Sequence, residues 1–225
     1  MILVIPCAAT KRSVAGHLRT SDDRQVMFVA NLDTAPAGED FVYARPDDPS
    51  GSKDLSWLAV LRAYNKEYKE CPDDDPRGLL PAWQLYTRPT CKFLKKRIGL
   101  DRLFILAAGW WLIPATFLTP KYDITFSWGG RVGPFKRRYK RDEYRDFSML
   151  PSDVTDPIVF VGGKNYISLF CKLAANTRSN RTVFYAGCKP VAPGCKLQRF
   201  GEPFVNWHYT CAKQLVEGTI RLGAA

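Results

Sequence analysis

Histidine is scarce in this chain: His17 and His208 are the only two in 225 residues. Imidazole is the side chain that most readily trades a proton near neutral pH, so histidine-based catalysis has few places to reside. His17 lies in a polar stretch, and His208 falls within the pattern of a closing helix, where a half-buried structural role fits better than that of a base. Common catalytic signatures are missing too. There is no Walker loop, no GxGxxG, no HExxH and no GxSxG. No run reaches the roughly 18 apolar residues that a membrane span needs, which excludes a membrane partner of that kind. Seven cysteines are present without a single CxxC pair, which removes the zinc-ribbon reading. The nearest metal-like set, Cys188, Cys195, His208 and Cys211, has the spacing of no common site, so neither a metal nor a cofactor is expected. The thiols read as reduced and mostly buried, as in a cytoplasmic protein. The apolar start, Met1 to Ala9, has no basic residues ahead of it and reads as a buried strand rather than a signal peptide.

Acidic residues are also in short supply. Asp and Glu number 22 against 33 Lys and Arg, a formal net charge of +11. Such a surplus points to an anionic partner, of which nucleic acid is the commonest. The remaining composition, 46% hydrophobic and 24% charged, excludes a disordered or fibrous chain. The length suffices for a core without staples, and one α/β domain spanning 1–225 is the expectation.

Ile2 to Ile5, Arg102 to Ala108, Ile158 to Val161 and Thr182 to Ala186 are short, continuous apolar runs. They read as strands buried on both faces, as parallel sheets require. Helical spacing occurs over Ser56 to Lys69, with Ser56 a candidate N-cap, over Thr90 to Ile98 before Gly99, over about Asn165 to Asn176, and over Val205 to Glu217. Residues 13–54 form an irregular excursion with strand candidates at Gln25 to Ala30 and Phe41 to Ala44, and residues 129–146 a basic insertion. The alternation predicts a three-layer α/β sandwich with a central, mostly parallel sheet. Ligands of such sheets bind beyond the carboxyl ends of the strands.

Four segments there could carry chemistry. Pro6 to Arg12 offers a small-residue loop, including Cys7, with Lys11 as an anion ligand; a plain basic turn is the alternative. Ala107 to Ile113 brings Trp110 and Trp111 to a strand end, either as a stacking surface for a base or as core. Tyr122, Asp123 and Thr125 follow, with Asp123 the catalytic carboxylate: it would orient a water and stabilise positive charge developing on a sugar, unless it merely caps a turn. Gly162, Gly163, Lys164, Asn165 and Tyr166 would approach a phosphate and read a base edge, unless Asn165 only caps a helix. Finally, Arg131, Lys136, Arg137, Arg138, Lys140, Arg141 and Arg145 interleave with Phe135, Tyr139 and Tyr144, opposed only by Asp142 and Glu143. Basic residues alternating with aromatics suit a nucleic-acid grip; a solvated loop or a contact to an acidic protein is the alternative.

These segments, in their order, resemble a bacterial and phage family distantly similar to the YaaA peroxide-stress proteins. Ile5-Pro6-Cys7 to Lys11 resembles its "IPCSKSK" start, and Leu85-Tyr86-Thr87-Arg88 its "LYTG" segment. Ile105 to Ile113 with Lys121 to Phe126 resembles "ILSAGYGLI…PYDLTF", and Gly162 to Tyr166 resembles "GGKxY". Arg88 stands where Gly is usual, and Trp110-Trp111 replaces smaller or Tyr-containing pairs. The resemblance implies a uracil-DNA-glycosylase-like fold and a link to modified nucleobases, of the kind served by phage-defence glycosylases that excise bulky modified cytosines. The expectation is a DNA glycosylase that flips a base from double-stranded DNA, with Asp123 and Asn165 catalytic. A nucleoside or base-exchange transferase and a non-enzymatic DNA-binding protein are the alternatives.

Overall fold

The computed structural model of the chain describes all residues except 9, 38–40, 52–54, 69–74, 87–88, 127–131, 140–141 and 224–225. The continuous apolar runs form the centre of a six-stranded sheet. In chain order its strands are β1 (Ile2–Pro6), β5 (Leu103–Ala107), β6 (Trp111–Pro114), β9 (Ile158–Val161), β10 (Arg181–Ala186) and β11 (Lys196–Gly201), arranged β11-β10-β9-β1-β5-β6. Every pairing is parallel except that of β5 with β6. All residues of β1, β5 and β9 are buried, which is why they show no polar alternation.

Five helices are described: α1 (Trp57–Tyr68), α2 (Ala82–Leu85), α3 (Pro89–Ile98), α4 (Lys164–Ala174) and α5 (Trp207–Val216). Ser56 caps α1 as expected, its Oγ accepting the Ala59 N–H at 3.2 Å. α3 and α5 pack on one another and on the sheet, while α4 lies against β10 and β6. Phe170 of α4 stacks on Phe160 of β9 at 4.9 Å. A mixed α/β architecture with a mostly parallel central sheet results, compatible with three layers.

The excursion at 13–54 supplies β2 (Val26–Val29) and β3 (Val42–Ala44). These join β8 (Tyr122–Asp123) in a second, three-stranded parallel sheet ordered β3-β2-β8. A short antiparallel pair, β4 (Leu80–Pro81) with β7 (Leu118–Thr119), completes the described strands. Two elements depart from expectation. The strand end expected at Trp110-Trp111 is instead a tight hairpin turn into β6, with Trp111 already paired to Ala107 and at φ +59. β11 escapes periodicity because it is a polar edge strand, none of whose residues is buried.

The topology marks a candidate ligand position. From β1 the chain crosses to β5 on one side, whereas β9, β10 and β11 step away on the other. Strand order therefore reverses between β1 and β9, and open α/β sheets bind ligands outside the carboxyl ends at such a point.

Candidate functional site

At the carboxyl end of β1, Cys7 is buried and its Sγ lies 3.2 Å from the hydroxyl of Tyr166, which follows β9. This contact ties the two strands that flank the reversal. The loop after Cys7 is pinned to α2: the Arg12 N–H donates to the Leu85 carbonyl at 2.9 Å, and Lys11 bridges to Tyr86. Lys11 is thereby turned inward. Its Nζ sits 4.1 Å from the centroid of the Tyr122 ring, a cation–π contact. Burial lowers the Lys11 pKa below its ordinary value, only partly offset by the nearby Cys7 and Asp123.

Tyr122 is held from three sides. Its hydroxyl shares a 2.8 Å hydrogen bond with that of Tyr86, Lys11 covers a face, and Trp110 meets it edge-on at 6.4 Å. Gly109 makes room, since a Cβ there would fall 2.9 Å from the ring. Burial raises the pKa of Tyr86, Tyr122 and Tyr166 well above the usual phenol range, so these hydroxyls stay protonated.

Asp123 is next in chain and opens outward. Its carboxylate is 37% exposed and pairs with Lys136 at 2.9 Å. The pairing of Val29 with Asp123 fixes the backbone on one side. On the other, the Thr125 N–H donates to the Lys136 carbonyl at 2.9 Å and the Arg138 N–H to the Thr125 carbonyl at 3.0 Å. The basic segment therefore lies directly against the Asp123 segment. Asn165, on the first turn of α4, donates from Nδ2 to the Phe126 carbonyl at 3.3 Å. Phe126 in turn meets Tyr166 edge-on at 5.0 Å. Asn165 does not cap α4: Gly163 holds that position, without a side-chain hydrogen bond.

Several expectations require correction. Trp110 and Trp111 are fully buried, so neither offers a stacking face to a base. Phe28 of β2 packs edge-on against Trp110 at 4.8 Å, and Phe147 against Trp111 at 5.8 Å. Tyr122 is equally sealed and cannot stack a base, because Lys11 occupies its face. Arg138 is not a phosphate contact. It is buried, donating to the Ala108 carbonyl at 2.8 Å and pairing with Asp146 at 2.5 Å. Burying a guanidinium requires such partners. Of the interleaved aromatics, Tyr144 is buried, its hydroxyl donating to the Ala30 carbonyl, and Phe135 packs on Tyr43. Lys136 turns to Asp123 and Arg137 is half-buried, while Arg145 is exposed. Arg131, Lys140 and Arg141 lie outside the described residues.

Gly162, Gly163 and Lys164 line a separate cavity of about 720 Å³ at the carboxyl ends of β9, β10 and β11, together with Tyr185, Arg199 and Trp207. Two residues beside these segments, Tyr86 and Asp146, carry little signal in the sequence. Tyr86 follows Leu85 within the noted "LYT" segment, which was its signal; Asp146 had only its place at the end of a basic run. No group of three or more metal-ligating side chains gathers among the described residues, and no described helix is long and apolar enough to cross a membrane.

No known protein family matches the chain, and neither a curated protein nor a solved structure is significantly similar to it.

Proposed function

We propose that the protein is a DNA glycosylase acting on a modified base, on a uracil-DNA-glycosylase-like fold. One observation supports this most: a half-exposed carboxylate, Asp123, stands paired with Lys136 beside the strand-order reversal where Lys11, Cys7, Tyr122 and Tyr166 converge. In this reading Asp123 orients water and stabilises the oxocarbenium-like sugar as the N-glycosidic bond breaks. Lys136 holds the carboxylate in position. Asn165 reads the flipped base, and Arg145 with neighbouring basic residues holds the DNA backbone. A bulky cytosine modification of phage DNA is the favoured substrate. The test is incubation of the purified chain with modified and unmodified phage DNAs, with mass spectrometry of released bases. Release from one modified DNA supports the reading; no release from any overturns it.

A second reading, a nucleoside or base-exchange transferase, is favoured by the cavity of about 720 Å³ beside Gly162, Gly163 and Lys164, a volume that suits a small ligand. Turnover of free nucleotides without salt-sensitive DNA binding would select it.

A further inference from the structure

We propose that Cys171 and Cys195 are a redox-active dithiol site that reacts with a small anionic disulfide and closes to an internal disulfide. Neither thiol enters the glycosylase chemistry, so this inference stands apart from that reading. Cys171 is buried in α4, and Cys195, half-buried, immediately precedes β11. The two are 24 positions apart in the chain, yet their Sγ atoms stand 3.7 Å from one another. Both are free thiols. A disulfide spans about 2 Å between its sulfurs, a gap that side-chain rotation and a small backbone shift can close. The element able to give is the turn from Ala192 to Cys195. It is closed by the Cys195 N–H on the Ala192 carbonyl at 3.2 Å and bent at Gly194, φ +67. Glycine is also needed there for a close approach, since a Cβ would lie 3.0 Å from Nη2 of Arg181. That guanidinium is anchored to the end of α4, Nη1 donating to the Ala174 carbonyl at 3.0 Å. Arg181 acts electrostatically on both thiols.

The thiols have different roles. Cys195 is the more accessible, in a turn whose Pro193 and Gly194 are exposed. Its pKa falls below the ordinary thiol value, chiefly through the hydrogen bond with Cys171 and further through Arg181, with burial opposing. The same bond, with burial, raises the Cys171 thiol. An accessible thiolate above a buried thiol is the arrangement of an attacking sulfur and its resolving partner. A cavity of about 960 Å³ opens beside them, lined by Cys171, Gly194, Lys164, Lys172 and Arg181 among others, with no carboxylate among the described lining residues. Lys172 also pairs with Asp146 at 3.0 Å, so Lys164 and Arg181 set the sign of the lining. A reactant of negative charge suits it.

The exchange balances. The Cys195 thiolate attacks one sulfur of the reactant, whose S–S bond breaks, and the other sulfur leaves with the electron pair. That leaving thiolate regains the proton that Cys195 released on ionising. Cys171 then attacks the Cys195 Sγ, its proton passing to the departing sulfur as the mixed disulfide breaks. The reactant is reduced to its thiols by the same electron pair that oxidises the cysteines. The new bond fastens α4 to the connection between β10 and β11.

The experiment treats the reduced full chain with glutathione disulfide, an anionic probe, and separately with cystamine, a cationic one. Peptide mapping by mass spectrometry without reductant is expected to find a Cys171–Cys195 cross-link that excess dithiothreitol reverses. Cys171→Ser should stop at Cys195 bearing glutathione. Cys195→Ser should show neither the cross-link nor an adduct on Cys171, while Cys188→Ser, at an exposed thiol, retains the cross-link. Dividing each rate by that of the same chain unfolded in urea removes the intrinsic reactivity of the probe. The quotient for glutathione disulfide should then exceed that for cystamine about tenfold. Absence of the cross-link in the wild type, or its formation between other cysteines, overturns the site. A quotient for cystamine equal to or above that for glutathione disulfide overturns the anionic reactant.

Discussion

Two acid–base pairs arise from the same basic run, and they differ in almost everything but charge. Arg138 and Asp146 are about 3% and 5% exposed, and the guanidinium also holds the Ala108 carbonyl at the end of β5. Lys136 and Asp123 are 34% and 37% exposed and touch water. The first pair locks the segment onto the sheet. The second is left where a ligand could exchange for one partner. A buried pair broken on one side strands an uncompensated charge, whereas a half-exposed pair broken on one side is re-solvated. Charge in the sequence thus divides into a part locked into the fold and a part left at its surface.

Substitutions can break or sharpen this contrast. Arg138→Ala should give the largest loss of stability, about 3–5 kcal/mol in urea unfolding, because among the described residues the Asp146 carboxylate is then left with the exposed Lys172 at 3.0 Å. A loss below about 1 kcal/mol would erase the distinction between the pairs. Tyr144→Phe should cost about 1 kcal/mol by orphaning the Ala30 carbonyl, with the Arg138 contact over the ring at 3.9 Å retained. Lys136→Ala should alter stability by no more than about 1 kcal/mol, yet sharply reduce base release as Asp123 loses its anchor. Arg145→Ala, at an exposed position, should leave stability within about 0.5 kcal/mol, and reduce the salt slope of DNA binding by about one. The smallest effect belongs to His17. Burial lowers its pKa below 6.5, so the unfolded chain binds the proton more readily. Its contribution is complete above the unfolded value and declines as pH falls below it, so His17→Gln should flatten the acid side of the stability profile.

The same contrast explains what could be read in advance. Buried parallel strands announce themselves as unbroken apolar runs, and β1, β5 and β9 were legible on that ground. The helices followed from spacing, with Ser56 and Gly99 marking ends. Trp110 and Trp111 were misread because strand-end position says nothing about what comes to cover it. Phe28 arrives from a second sheet built by the excursion, a tertiary event without a local signature. The basic segment was visible as charge, but its partners were not: Asp123 lies 13 positions before Lys136 and Asp146 eight after Arg138, and nothing in the pattern separates the two outcomes. In the sequence Lys11 reads as an anion ligand; its inward turn depends on Tyr86 and Tyr122, which only the fold brings beside it.

The central claim is that the outward carboxylate of Asp123 serves breakage of an N-glycosidic bond. The direct measurement compares wild type with Asp123→Asn, mass spectrometry quantifying bases released from hypermodified phage DNA and thermal unfolding confirming equal stability. The account predicts release by the wild type and its loss in a variant that melts with the wild type. Full release by Asp123→Asn would contradict it.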